Sequence, residues 1–233
     1  MNAGFYELRL APIVSDLSQV VVSLGLISVS AGYVSAIIGD TSLLHTQAFW
    51  LRLVLLLATV SFTCYALLGY VADMTAGANT TWAADTRSPA RIIVLFLVDL
   101  VMLGLQGWMY GVLLVIDIAD IGTTEVARSF DFELTHLVML AGLAAAWHAT
   151  TFLWHLLAGS PIRGQLSHLL FLLAFGGLAL AAAGWELAEP DGQWIWALAY
   201  TAVVLALFFT RGRTLVRQAL ESDRRHPAEN HYR

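Results

Sequence analysis

The chain has 233 residues, of which 58% are hydrophobic and only 12% charged, with a net charge of −5 and a mean hydropathy of +0.72. These values exclude an ordinary water-soluble domain and a nucleic-acid-binding role, and predict an all-α integral membrane protein whose first partner is the lipid bilayer. All 12 basic residues are arginine, so chemistry that needs a lysine amine is excluded as well.

The first apolar run, Ser15 to Gly39, follows Pro12 with only Arg9 before it and no small-residue cleavage pattern after it, so it is read as a retained span and not a signal peptide. A second span runs from Phe49 to Met74 and holds the lone cysteine, Cys64. The middle is ambiguous. Ile92 to Ala119 is one apolar stretch of 28 residues, long for an untilted span and short for two. If WAADTRSPAR is included, residues 82–128 make two helices that reverse at Gly104-Leu105-Gln106-Gly107, giving seven spans; otherwise there are six. Leu134 to Ala158, Leu166 to Leu187 and Trp194 to Thr210 complete the set, making residues 1–211 a membrane bundle and 212–233 a basic tail. That tail carries Arg213, Arg217, Arg224, Arg225 and Arg233 just beyond Arg211, which predicts a cytoplasmic C-terminus in the cell membrane. Arg163 marks the preceding turn as cytoplasmic, and the acidic loop with Glu186, Glu189 and Asp191 belongs outside. Seven spans, the expected count, put the N-terminus outside; six, the alternative, put it inside.

Several segments carry a family likeness. The second span reads FWLRLVLLLATVSFTCYALLGY, with an aromatic start, then F-T-x-Y and L-G-Y; Trp82-Ala83 is followed by LFLVDLVML around Asp99; Gln106-Gly107 leads to Asp117 and Ile121-Gly122-Thr123; and the last span stops at Arg211-Gly212-Arg213. In this order and spacing the chain resembles the archaeal-type microbial rhodopsins over about two-thirds of its length. The resemblance implies a seven-helix bundle of microbial rhodopsin type, and permits a homo-oligomer, since that family often trimerises, or a membrane partner protein. It departs where that family does its photochemistry. Counting back from Arg211 places Ala202 at the retinal-lysine position and Leu198 at an aspartate of the counterion pair, so covalent retinal is excluded. In the sixth helix Leu178 to Gly184 reads LALAAAG, and only Trp185 of the aromatic set remains. The expectation is a lysine-less opsin homologue acting as a non-photochemical sensor or interaction subunit.

The candidate chemistry lies in the few polar residues of the spans, because ionisable groups there are costly and usually face the bundle interior or water. Asp99 and Asp117 are the first candidates for an ion or proton pathway; the resemblance puts Asp99 at the cytoplasmic proton-donor position, and the plainer reading is two neutral or helix-paired carboxyls. Asp85, Arg87 and Arg91 form a charge cluster at a span edge, with Arg87 and Arg91 one turn apart. No proton-acceptor role is transferred to Asp85, because DTRSPAR does not follow the family pattern. His148 and His155 are seven residues apart on one helical stripe, and His168 follows across a short turn. These three could ligate a metal or a haem, or simply hydrogen-bond backbone and interfacial water. Trp147, Trp185 and Tyr200 are the residues that could line a site for a non-covalent retinoid or carotenoid. No nucleotide loop, cysteine-pair metal motif or nucleophile–base arrangement is present, so no enzymatic activity is expected.

Overall fold

A computed structural model describes residues 10–77, 89–114, 134–159, 162–184, 190–213 and 216. Every regular element among them is helical. The order is α1 (Ala11–Gly39), a short 3-10 turn (Thr41–His45), α2 (Gln47–Gly77), α3 (Pro89–Leu113), α4 (Leu134–Ala158), α5 (Ile162–Gly184) and α6 (Pro190–Leu207), which continues as a π-turn over Phe208–Gly212. All six helices contain stretches long and apolar enough to cross a bilayer. Their outward faces carry side chains such as Ile38 and Leu180, exposed by 78% and 77%. Surface of that kind on six membrane-long apolar helices suits a lipid bilayer, and the chain is a helical membrane protein.

The turns at the helix ends follow local rules. Asp40 ends α1 and turns its carboxylate back onto the Ser42 N–H at 2.9 Å, which starts the 3-10 turn into α2. Gly159 ends α4 with φ +78°, a left-handed conformation that glycine adopts without steric cost.

One expectation is corrected here. The reversal at Gly104-Leu105-Gln106-Gly107 does not occur: α3 runs unbroken through all four residues. In lipid a broken helix would leave backbone groups without partners, which outweighs the weak helix preference of two glycines. Gln106 is not a turn signal either. Its side chain is buried and its Oε1 accepts the Ser18 hydroxyl of α1 at 3.3 Å, a polar tie between two spans. The described residues therefore contain six membrane-long helices, the alternative count of the sequence analysis, and a seventh is not among them.

Helix α4 is the hub, packed against α3 and α5, with α2 against α6 and α1 against α3. Its buried stripe, Leu137, Leu140, Ala144, Trp147, Thr151, Trp154 and Ala158, repeats every three or four residues, with His148 and His155 beside it. Three polar contacts show that the starts of α1, α3 and α5 meet the ends of α2, α4 and α6 at one end of the bundle. Tyr70 OH reaches Ala11 O at 3.5 Å, Arg91 Nε donates to Leu157 O at 2.5 Å, and Arg211 donates to the Ser167 hydroxyl. At the opposite end Arg52 of α2 meets His136 of α4, Nη2 to Nε2 3.5 Å.

Candidate functional site

Seven residues of helix advance about 10.5 Å, so His148 and His155 stand two turns apart on the same side of α4. His168 of α5 enters between them, its ring centroid 5.4 Å from each. All three are buried. The result is a ladder of imidazoles that starts one turn from the Arg211 end of the bundle and climbs to the middle of α4.

The two deeper rings touch directly. His148 Nδ1 lies 3.2 Å from His168 Nδ1, a contact that is attractive only if one nitrogen carries hydrogen and the other does not. One ring is then the Nδ1–H tautomer with a bare Nε2, and the other is the Nε2–H tautomer. Neither Nε2 has a hydrogen-bond partner, and both are buried. An unpartnered buried imidazole nitrogen costs stability, so these two positions are polar groups that the apolar packing around them does not explain.

Aromatic rings hold the pair. Phe171 and Phe175 stack on His148 with centroids 5.7 Å away and interplanar angles of 22° and 16°. Phe62 and Trp147 meet it edge-on at 5.8 and 5.1 Å, and Trp154 meets His155 edge-on at 5.2 Å.

A cavity of about 30 Å³, room for a water or two, lies beside the ladder. Tyr70, Trp147, Trp154, His155, His168 and Arg211 line it, with walls mostly of aromatic and aliphatic carbon. Tyr70 joins this cavity to Asp99: its hydroxyl is 3.5 Å from Asp99 Oδ2, while Oδ1 has no hydrogen-bond partner. Asp99 is fully buried, ten residues into α3, and His148 is ten residues before the end of α4. At 1.5 Å per residue both lie about 15 Å from the same end of the bundle.

The other candidates fall out differently. The three histidines come together. Among the described residues no group of three or more His, Cys, Asp or Glu side chains is disposed to hold a metal. The direct nitrogen contact in the ladder, His148 Nδ1 to His168 Nδ1 at 3.2 Å, brings together two imidazoles, fewer than the three or four protein ligands a zinc site uses. A cavity of this size cannot take a tetrapyrrole either. Ala202 is exposed: the inward stripe of α6 is Ala197, Tyr200, Val204 and Leu207, so the position counted as that of a missing retinal lysine points out of the bundle. Leu198 is likewise exposed. Trp147 and Tyr200 are buried, but as core. Trp147 packs on Phe62 at 5.3 Å and Tyr200 on Phe175 at 5.9 Å. Arg91 is a clamp on the end of α4, not an interior ion site. Asp85, Arg87, Asp117 and Trp185 lie outside the described residues.

Sequence reasoning missed Tyr70 and Arg211 as parts of the site. Tyr70 was visible as an aromatic hydroxyl at the end of a span, and Arg211 was read only as a stop signal. A scan against protein-family models and searches of curated proteins and of solved structures find no match for this chain.

Proposed function

We propose that this is a proton-translocating membrane protein in which the histidine ladder and the Tyr70–Asp99 pair are two arms of one proton path that meet at the cavity. The single observation that carries the reading is the Nδ1-to-Nδ1 contact of His148 and His168 inside an apolar bundle. Two imidazoles that share one hydrogen, one with a bare Nε2 and the other with an unpartnered Nε2–H, have the donor and acceptor that proton transfer needs. An apolar core would be satisfied by leucine at both positions.

The transfer balances as follows. A proton from the cavity side binds the bare Nε2 of His168, making an imidazolium. The Nδ1 hydrogen of that ring moves across the contact to Nδ1 of His148, which then gives up its own Nε2 hydrogen to a water molecule admitted from the opposite half of the bundle, the acceptor this reading requires because no protein group accepts from that nitrogen. Charge passes through while each ring ends neutral. Asp99 is the carboxyl at matching depth that can hold a proton, with Tyr70 as its link to the cavity. Toward the opposite end the inward face of α2 continues with buried hydroxyls, Thr59 and Thr63, the latter 2.8 Å from Tyr110 OH, and ends at Arg52 beside His136.

Charge sets the orientation we propose. In the sequence, ten of the twelve arginines precede α1, lie between α2 and the first turn of α3 or between α4 and the first turn of α5, or follow α6. All of these segments adjoin the end that carries the cavity, which is therefore cytoplasmic. With six spans the N-terminal segment lies on that side too.

The test is proton uptake by proteoliposomes after a pH jump, with membrane potential clamped. The intact protein is expected to take up protons that protein-free vesicles do not, and Asp99→Asn, which keeps the shape but cannot ionise, is expected to reduce initial uptake at least tenfold. Unchanged uptake in Asp99→Asn removes Asp99 from the path, and no protein-dependent uptake at all rejects the reading.

A further inference from the structure

The cavity beside the ladder is walled in part by hydrogen-bond donors that the proton path does not use. Arg211 stands four residues beyond Leu207, so it continues the inward stripe of α6, and its Nη1 donates to the Ser167 hydroxyl of α5. Arg213, two residues on, is exposed. One arginine of the Arg-Gly-Arg stop is thus a surface residue, while the other lines the cavity.

Trp147 lines the same cavity, and its buried indole N–H has no hydrogen-bond partner. An indole nitrogen and a guanidinium can only donate, and the guanidinium keeps its charge at every accessible pH. Among the described residues no carboxylate lines the cavity. Donors and a fixed positive charge in an apolar wall suit an anion, and room for a water or two limits it to a few atoms.

His168 decides how that anion enters. It lines the cavity too, and its Nε2, bare in the transfer proposed above, has no partner. A lone pair there repels an anion. Once a buffer acid in the entering water gives up a proton and the N–H bond forms at Nε2, the same atom becomes a further donor. The new imidazolium then meets Arg211, a like charge on the same cavity wall, where the apolar surroundings screen poorly. An anion between them offsets that repulsion. The other groups around His168 bring no negative charge to the cavity: His148 and His155 on α4 are imidazoles, Tyr70 on α2 is a phenol, and Asp99 on α3 reaches the cavity only through Tyr70.

We infer that the cavity is a site for a small monovalent anion such as chloride, bound by Arg211 and Trp147 and filled together with the proton at His168. This rests on the proton-transfer reading and names the second ion that accompanies the proton. The site gains one positive and one negative charge and its net charge is unchanged, whereas a proton alone leaves two cations facing each other. Anion and proton therefore strengthen each other's binding by the same factor.

Two measurements on the full-length protein separate the claims. In liposomes with the membrane potential clamped, initial proton uptake after a pH jump is expected to be about tenfold faster in chloride than in gluconate, an anion too large for the cavity, at equal ionic strength. In micelles, the protein is expected to broaden the chloride NMR line, increasingly so as the pH falls. Arg211→Gln, which removes the charge, is expected to abolish both chloride effects; Arg213→Gln, the same change of charge at the surface, is expected to keep both. Uptake that is equal in chloride and gluconate keeps the proton path and overturns the anion site. Chloride effects that survive Arg211→Gln, or that vanish equally in Arg213→Gln, overturn it as well. Broadening lost only in Arg211→Gln, with no proton uptake in either salt, supports the anion site and rejects the transfer. Should Arg211→Gln not fold, the wild-type salt comparison decides: faster uptake in chloride supports the site and equal uptake overturns it.

Discussion

His168→Asn is expected to lower initial proton uptake at least tenfold, because asparagine can hydrogen-bond His148 but cannot take a proton on one face and pass another from the opposite one. The prediction differs from that of a generic core mutation. His168 is 2% exposed and its Nδ1 partners His148, so a variant that leaves the His148 nitrogen alone loses about 1–3 kcal/mol of stability as well. Asparagine keeps a donor and an acceptor in reach and limits that loss, so uptake and stability should part company. His148→Asn should have the same effect on uptake. The double variant should be no worse than either single one, since one broken link already stops the path. Uptake that falls only in proportion to the folded fraction would show the histidines to be structural. Stability can be followed by denaturation in mixed micelles with rising sodium dodecyl sulfate.

Gly25→Val is expected to give the largest loss of stability among single changes outside the site. A Cβ placed on Gly25 of α1 would lie 2.5 Å from Tyr110 Cγ, and two other atoms of that side chain are within 2.8 Å. These are not the flexible tip of a side chain. Tyr110 is 1% exposed and tethered at its far end by the 2.8 Å contact with Thr63 on α2, so relief requires α1 to move off α3. Overpacking a rigid core costs about 1–3 kcal/mol, and Gly25→Ala falls in that range. Valine, with two further methyl groups, should exceed it and separate α1 from the bundle, visible as early loss of the α1–α3 contact in cross-linking between engineered cysteines. A Gly25→Val protein as stable as the wild type would mean that α1 and α3 are not packed as described.

Much of the fold was legible from composition. A run of about 20 apolar residues can be little else in a membrane protein, and the boundaries of the spans follow from Gly39, Ala158 and the Arg211 cluster. The middle of the chain was misread because glycine and glutamine signal a turn in water. In lipid the glycines keep their helical bonds, and Gln106 turns to Ser18. Ala202 shows a different limit. A motif such as Arg-Gly-Arg sets distance along a helix, but which way a residue points depends on where the neighbouring helices stand. Residue 202 is two positions from both Tyr200 and Val204, about 200° around the helix from each, so a register inferred from chain order alone can place an interior residue on the outside.

The histidine site was half visible. The seven-residue step of His148 and His155, and the nearness of His168 across the turn, follow from helical geometry. That the rings meet nitrogen to nitrogen depends on the rotation of α5 about its axis and on side-chain rotamers. No spacing in the sequence encodes either. Tyr70 and Arg211 belong to the site only because the ends of α2 and α6 converge there, a tertiary fact that local patterns do not carry.

The most direct test of the central claim is magic-angle-spinning NMR on the protein in bilayers with ¹⁵N-labelled histidine, assigned by single substitution of His148 and His168. The account predicts one hydrogen shared between the two Nδ1 atoms, seen as a through-bond nitrogen–nitrogen coupling between these rings, with one ring in each neutral tautomer. Two rings with hydrogen on both Nδ1 atoms, or with no coupling between them, would contradict it.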